Sequence, residues 1–201
     1  MKLYYSPASP FASKVRATVI ECGLQEQVSL VATNPHESQP DFVAINPFSK
    51  IPVLVLDDGA ALFESYFICE YLDSIAGGGV VLPKQGQDRR AVLHKHMLGN
   101  GVMEAAVLRR VESLRGKDPD REKNIARQIT IIGRGLDCIE AEADKLGQGP
   151  GLGNLCIAIA LSYLDFRFGA DQWRSGRQRL AKWHEQYAAR PAIAETAPRA
   201  P

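Results

Sequence analysis

The sequence lacks the long apolar stretches that mark membrane and secreted proteins. No part of the 201-residue chain approaches the roughly 18–20 consecutive apolar residues of a membrane span. The N-terminus, MKLYYSPASP, has no long apolar core after its lysine, so it does not match a signal peptide. We therefore expect a cytoplasmic protein with no membrane partner.

An excess of charge of one sign is also missing. Lys and Arg number 24 against 23 Asp and Glu, which gives a formal net charge of +1. A chain this close to neutral has no overall field that would attract nucleic acid or an anionic surface. The longest basic cluster, Arg174 to Lys182, is interrupted by uncharged residues and is typical of a solvated helix face. No nucleic-acid partner is therefore expected.

Cysteine and histidine are scarce and lack the spacing of metal ligands. None of the four cysteines forms a Cys-x-x-Cys pair, and His94 and His96, two apart, face different sides of a helix. We expect no metal site, and we expect the cysteines to be buried free thiols in a reducing compartment. The cysteines are Cys22, Cys69, Cys138 and Cys156.

Patterns in the first 76 residues predict a small mixed α/β sheet. Apolar residues at helical spacing end at Gly23, which suits a helix C-cap, and Asp57-Asp58-Gly59 is a hairpin turn signal. The predicted order is strand 2–5, helix 11–23, strand 28–32, short helix 40–45, strand 52–56, strand 60–63 and helix 65–75.

The glycine run Gly77–Gly79 ends this pattern, and only helical patterns follow the polar stretch after it. We place a domain at 1–76, a linker at 77–87 and an all-helical domain at 88–201. The segment 155–166 is apolar nearly all round, which predicts a central buried helix. The other predicted helices span 88–115, 121–146 and 176–189.

Ile51-Pro52-Val53 is the first of three motifs that could bind a ligand or take part in a reaction. A proline at a strand start cannot donate to the sheet, and X-Pro bonds are the ones that adopt the cis form. Such a turn would leave the main chain of Val53 free at a sheet edge, where an extended peptide can pair as an added strand. A purely structural proline is the alternative.

The other two motifs lie where strands run into helices. At Glu64-Ser65, the serine and the helix N-terminus suit a carboxylate, and Glu64 suits an ammonium group; a simple serine N-cap is the alternative. At Ser6 to Phe11, a hydroxyl at a helix N-terminus would stabilise an anion such as a thiolate. Turn and cap roles for Ser6 and Ser9 are the alternative there.

Taken together, in this order and spacing, the motifs resemble the thioredoxin-like glutathione-binding domain of glutathione S-transferases. The helical half agrees with that family in length and pattern, so the resemblance covers nearly the whole chain and is nearest to bacterial cytosolic members with a serine at the loop. The strings that carry it are SPFASKVR (Ser9 to Arg16), NPFSKIPVL (Asn46 to Leu54) and FESYFICEYL (Phe63 to Leu72), with Trp183, Tyr187 and Arg190-Pro191 near the end.

The resemblance implies a βαβαββα thioredoxin-like domain followed by a helical bundle, a homodimer, and glutathione as co-substrate without a metal. Ser9 would activate the glutathione sulfur for attack on a small electrophile, and we prefer it to Ser6 because it directly precedes the helix. The implied binding residues are cis-Pro52 with Ile51, Val53 for the cysteinyl part, Glu64 and Ser65 for the γ-glutamyl end, and Lys50 for the glycyl carboxylate.

Two further expectations follow from the resemblance. The second substrate would lie between the domains, against Phe11, Met103, Val107 and Arg110. Relatives usually begin the buried central helix with a Ser/Thr-x-x-Asp capping box. Here Gly153 and Cys156 stand at those positions, and Asn154 is expected to cap the helix instead.

Three functions are compatible with this site. The first is a transferase that conjugates glutathione to small electrophiles. The second is a noncatalytic glutathione- or protein-binding member of the same fold. The third is a glutathione-dependent isomerase, dehalogenase or peroxide reductase, which differs from the first only in the substrate pocket. Because Ser9-Pro10-Phe11-Ala12 lacks both cysteines of a redox motif, dithiol exchange at this loop is excluded.

Overall fold

The N-terminal half forms a small mixed sheet with three helices. In a computed structural model, which describes residues 1–37 and 39–200, the strands lie in the order β2-β1-β3-β4, with β1 and β2 parallel and the other pairs antiparallel. This confirms the predicted βαβαββα order. The elements are β1 (Lys2–Tyr5), α1 (Pro10–Glu21), β2 (Ser29–Ala32), α2 (Pro40–Ile45), β3 (Val53–Val55), β4 (Ala61–Phe63) and α3 (Ser65–Ile75).

The predicted local signals fix the ends of these elements. Gly23 takes a φ of 67° after α1, and the N–H groups of Gly23 and Leu24 bond back to the carbonyls of Ile20 and Val19, which is a Schellman ending. In the hairpin, Gly59 takes a φ of 89° and β3 turns back into β4.

The rest of the chain is helical, as predicted. The helix α6 is the central one, with an almost unbroken buried stretch from Leu152 to Leu164. The short final helix was not predicted from the sequence. The helices are α4 (Gly86–Ser113), α5 (Pro119–Ala141), α6 (Leu152–Phe168), α7 (Gln178–Tyr187) and α8 (Pro191–Ala194). Among the described residues, no helix combines the length and the apolar character that crossing a membrane requires.

The segment between α3 and α4 is held by one buried carboxylate. Asp73, 4% exposed on α3, accepts hydrogen bonds from the main-chain N–H groups of Gly79 (2.8 Å) and Val81 (2.7 Å). Gly77, Gly78 and Gly79 all take positive φ angles, which lets the chain curl around that side chain. The predicted linker is thus anchored to the last turns of α3.

Helices α4 and α6 run in the same direction and touch through two glycines. A Cβ atom added to Gly99 would lie 2.8 Å from the carbonyl carbon of Cys156, and one added to Gly153 would lie 2.6 Å from the carbonyl oxygen of Val92. Real Cβ atoms do not come that close, so both positions require glycine. This contact sets the register of the two helices.

The start of α6 corrects our expectation about its cap. The N-cap residue is Gly151, which has no side chain to offer, and not Gly153. Asn154 does not cap the helix either: its Nδ2 donates to the carbonyl of Gly147 at 3.0 Å, and its Oδ1 is buried without a hydrogen-bond partner among the described residues. The side chain closes the preceding loop instead.

A buried lysine joins the two halves. Lys14 of α1 is 0% exposed, and its Nζ contacts His96 Nε2 at 2.9 Å and Asn100 Oδ1 at 3.1 Å on α4. Burial and the neighbouring ammonium group together lower the pKa of His96 to about 3. The imidazole is therefore neutral and can accept the hydrogen bond from Lys14.

The expectation that all four cysteines are buried is correct for two of them. Cys69 and Cys156 are buried, but Cys138 is exposed and Cys22 only partly buried. Cys138 faces outward because the buried stripe of α5 runs through Ile132, Leu136 and Ile139.

The basic cluster from Arg174 to Lys182 lies at the surface, where its arginines pair with carboxylates: Arg174 with Asp165, Arg177 with Asp137, and Arg179 with Glu140 and Asp144.

We predict that Gly151→Ser stabilises the protein by about 0.5–1 kcal/mol, because it adds a capping hydroxyl and removes backbone freedom from the unfolded chain. A Cβ atom at Gly151 meets nothing within 4 Å, and its φ of 179° suits any residue. The measurement is urea unfolding. The matched variant Gly153→Ser should lose roughly 1–3 kcal/mol through overpacking. Equal effects of the two variants would contradict this account of the helix start.

We also predict that stability falls as the pH drops below about 6.5, the ordinary pKa of histidine. Burial lowers the pKa of His96 to about 3 and that of His184 to about 4. Between about pH 6.5 and the lowered pKa values, the unfolded chain therefore binds protons that the folded chain does not. The free energy of unfolding consequently falls as the pH falls.

The check is the melting temperature from pH 7 to pH 5. His96→Gln and His184→Gln should each flatten the decline, whereas His36→Gln, at an exposed position, should leave it unchanged. A wild-type melting temperature that is constant over this range would refute the prediction.

Candidate functional site

The sheet brings the three predicted motifs to one edge. Tyr4, Val53 and Phe63 lie side by side on β1, β3 and β4. Immediately beyond this row come the Ser6–Ser9 loop after β1, the Ile51-Pro52 turn before β3, and Glu64-Ser65 after β4. Since neighbouring strands are about 4.8 Å apart, the outer two segments lie about 10 Å from each other.

Ser9 is the N-cap residue of α1. Its Oγ accepts a hydrogen bond from the N–H of Ala12 at 3.2 Å, and its own N–H donates to the carbonyl of Ser6 at 3.0 Å. Ser6 Oγ accepts from the N–H of Ala8 at 3.3 Å. Within the described part of the chain neither hydroxyl proton has an acceptor, so both serines can still donate to a ligand.

The Ile51-Pro52 peptide bond is cis, as the resemblance implied. The expectation of a free edge at Val53 is wrong, because β3 lies between β1 and β4 and Val53 pairs with both Tyr4 and Phe63. The free groups belong to the preceding residue. Over residues 1–37 and 39–200, the main-chain N–H and C=O of Ile51 form no hydrogen bond.

Glu64, and not Ser65, caps α3, so the alternative of a simple serine N-cap is wrong. Glu64 is the N-cap residue of α3, and its carboxylate accepts from the N–H of Tyr66 at 3.1 Å and from Ser65 Oγ at 3.0 Å. Ser65 is the first residue of the helix and is buried, so it is not the cap. Glu64 also takes a φ of 82°, and such backbone conformations in non-glycine residues cluster at ligand sites.

Asn46 supports the turn and was missed from the sequence. This residue, 1% exposed, donates from Nδ2 to the carbonyl of Lys50 at 2.8 Å and accepts at Oδ1 from the N–H of Phe48 at 3.1 Å. It thereby fixes the main chain that leads into Ile51, while the side chain of Lys50 is exposed. An Asn-Pro pair after a short helix was the available signal.

The residues expected around a second substrate divide into two groups. Met103 is 0% exposed and belongs to the core, so it does not line an open pocket. Phe11, Val107 and Arg110 are partly exposed. The ring centre of Phe11 lies 6.0 Å from Lys14 Nζ, which in turn contacts α4, so the N-terminal turn of α1 faces that helix.

A separate groove of about 890 Å³ between α6 and α7 contains a serine–histidine pair that does not fit catalysis. Ser162 Oγ lies 3.2 Å from His184 Nε2, but it also donates to the carbonyl of Ala158 at 3.0 Å within its own helix. Burial lowers the pKa of His184 to about 4, well below the value that suits a general base near neutral pH. The pair is better explained as a helix–helix contact.

Within residues 1–37 and 39–200, no group of three or more His, Cys, Asp or Glu side chains is arranged to hold a metal ion.

Comparison with known proteins gives consistent results along the whole chain. The profile of the glutathione S-transferase N-terminal domain matches residues 8–75. The uncharacterised GST-like protein YibF of Escherichia coli is 29% identical over 201 residues, which cover 98% of each chain. Glutathione S-transferase 3 of Zea mays is 28% identical over 98% of this chain and 92% of its own.

Solved structures extend the match to the fold. A glutathione transferase family member from Pseudomonas fluorescens Pf-5, crystallised with bound glutathione, superposes with a TM-score of 0.93 at 34% identity, covering 99% of both chains. A glutathione S-transferase from Methylobacillus flagellatus, also with glutathione bound, gives a TM-score of 0.87 at 30% identity over 98% of both chains. With similarity of this extent in sequence and in structure, the chain belongs to the glutathione S-transferase family.

Proposed function

We propose that this protein is a glutathione transferase that holds glutathione across the row Tyr4–Val53–Phe63 and activates its thiol with Ser9. The observation that carries the proposal is the meeting of three ligand-competent segments at one sheet edge. The outer segments are about 10 Å apart, so a short extended peptide can place its first residue at Glu64 and the sulfur of its second residue at Ser9. Similar structures that contain glutathione support the same ligand.

The γ-glutamyl end would bind at the start of α3. The carboxylate of Glu64, oriented by Ser65 and Tyr66, would pair with the ammonium group of the ligand. The positive end of the α3 dipole and the N–H of Ser65 would receive its carboxylate. Both charges of one amino acid are thereby matched within two residues.

The cysteinyl and glycyl parts would follow along the edge toward the turn. The free N–H and C=O of Ile51 suit hydrogen bonds to the main chain of the cysteinyl residue. Val53 pairs within the sheet, and its role would be to hold the strand that carries Ile51 in place. The exposed Lys50 would pair with the glycyl carboxylate.

The sulfur would lie at the N-terminus of α1. The Ser9 hydroxyl keeps its proton available, and the helix dipole favours an anion there, so both effects stabilise the thiolate over the thiol. The thiolate then attacks an electrophilic carbon that the protein holds nearby. An acidic conjugate, S-(propanoic acid)-glutathione, is bound in a second structure of the Pseudomonas fluorescens protein, which is 33% identical to this chain.

We predict that Ser9→Ala lowers kcat/KM by about 10- to 100-fold, because a hydrogen bond to a charged sulfur is worth about 1.5–3 kcal/mol. The glutathione Kd from calorimetry should change little, and the pKa of the bound thiol, read from thiolate absorbance, should rise. Ser9→Thr, which keeps both hydroxyl and cap, should restore most activity.

Ser6→Ala is the matched control for this experiment and should turn over normally. The reverse pattern would assign thiol activation to Ser6. Glutathione binding without turnover of any electrophile would favour the noncatalytic version of the site. Millimolar glutathione that gives neither heat nor a thermal shift would overturn the proposal as a whole.

We further propose a cytoplasmic homodimer. The free cysteines suit a reducing compartment. Phe48, 67% exposed, stacks edge-on with Phe63, and Met97 is 70% exposed beside a groove of about 370 Å³ on α4. Exposed aromatic and Met side chains of this size beside a groove are typical of subunit contacts.

For the dimer we predict that Phe48→Ser shifts sedimentation at micromolar concentration from dimer to monomer, because it removes an apolar contact from the interface. Leu114→Ser, which alters a side chain that is 65% exposed at the far end of α4, should leave the dimer intact. A wild-type protein that sediments as a monomer would disprove the assignment.

A further inference from the structure

Arg110 and Arg167 are brought opposite each other by the packing of α4 on α6. The two helices run in the same direction, and Gly99 touches Cys156. Eleven residues complete about three helical turns, so a step of eleven from each contact residue returns to the same face of its helix. That step leads to Arg110 on α4 and to Arg167 on α6.

The hydroxyl of Tyr163 lies within electrostatic reach of both guanidinium groups. This side chain is 3% exposed, and burial raises its pKa. Two arginines act in the opposite direction and lower the pKa of Tyr163: Arg167 through its charge and a hydrogen bond, and Arg110 through its charge. A buried hydroxyl group therefore lies near two cations where α4 packs on α6.

Among the described residues, Arg110 and Arg167, like Arg16, lack the carboxylate partner that the other partly buried arginines have. Five partly buried arginines form ion pairs with carboxylates within 4.0 Å, whereas among the described residues neither Arg110 nor Arg167 forms one. The five are Arg89, Arg109, Arg121, Arg177 and Arg190.

Their remaining contacts leave hydrogen-bonding capacity unused. Arg167 lies on the ring of Phe166 at 4.0 Å, and its Nε is buried without a hydrogen-bond partner in the described structure. Among the residues that the structure describes, Arg110 donates a side-chain hydrogen bond only to Ser113 Oγ, at 3.5 Å. Two like charges close together with unsatisfied donors are unfavourable unless an anion joins them.

The arginine pair lies further along the same helix that α1 contacts. Lys14 of α1 contacts α4 at Asn100, and Arg110 is ten residues further on, about 15 Å along the axis. Side chains lean toward the N-terminus of their helix, which brings the guanidinium group about one turn back toward the contact with Lys14.

We propose that Arg110 and Arg167 together bind a carboxylate of the electrophilic substrate, so that the enzyme selects acidic electrophiles over neutral ones. The assignment rests on the proposed transferase function. With an aryl chloride, the glutathione sulfur forms a bond to the carbon that carries chlorine. Chloride leaves with the electrons of the carbon–chlorine bond, the thiol proton goes to solvent, and the carboxylate is unchanged.

The kinetic test compares 4-chloro-3,5-dinitrobenzoate with its methyl ester, each relative to its uncatalysed reaction with glutathione. We expect the wild-type kcat/KM to favour the acid by tenfold or more. Arg110→Met and Arg167→Met should each lower the value for the acid at least tenfold and that for the ester less than threefold. Arg127→Met, at an exposed position on α5, is the control and should change neither.

A binding test separates this assignment from the proposed function. By calorimetry, S-(4-carboxybenzyl)glutathione should bind the wild type at least tenfold more tightly than S-(4-carbamoylbenzyl)glutathione, and the two should bind the arginine variants equally. Glutathione itself should bind all variants alike, which also verifies their folding. Equal wild-type affinities for the two conjugates, with glutathione binding intact, would overturn only the carboxylate site. Absence of glutathione binding would overturn both proposals.

Discussion

The close contact between α4 and α6 is the constraint on which most of the helical half depends. Gly99 and Gly153 let the two helices approach so closely that a single added carbon at either position would strike main-chain atoms. The contact fixes the helix register, and the register places His96 against Lys14 and Arg110 level with Arg167. It also accounts for the start of α6, since a side chain at position 153 has no room.

The buried Lys14 shows how the two halves are joined at a polar contact. A buried ammonium group usually pairs with a carboxylate, but here its described partners are a neutral imidazole and an amide oxygen. Such partners satisfy the donors without a second buried charge. The geometry needed for this is demanding, because Nζ must reach two residues one turn apart on α4. The arrangement therefore specifies one position of α1 against α4.

The sequence predicted the order of strands and helices well, because turn glycines and apolar periodicity are local signals. Gly23 and Gly59 act within a few residues, and their effects in the structure are as expected. The three site motifs were found for the same reason. What they do depends on long-range pairing, and here the sequence was less informative.

The errors share that physical origin. Whether Val53 or Ile51 keeps free main-chain groups depends on which strands flank β3, and no single segment encodes that. The burial of Met103 and the exposure of Cys138 depend on how neighbouring helices are rotated. Asn46 and Asp73 were missed because their partners are main-chain groups of folded loops. The Asn-Pro pair marks a turn at Asn46 but does not show which groups its side chain bonds.

Under the proposed transferase function, the burial of the cysteines has a further consequence. Burial raises the pKa of Cys69 to about 11 and those of Cys22 and Cys156 to about 12, so these three remain protonated and unreactive near neutral pH. An enzyme that supplies its nucleophile on a diffusible peptide, and keeps its own thiols protonated, is protected against alkylation by its own substrates. Exposed Cys138, on α5, is the thiol that an excess of reagent would modify first.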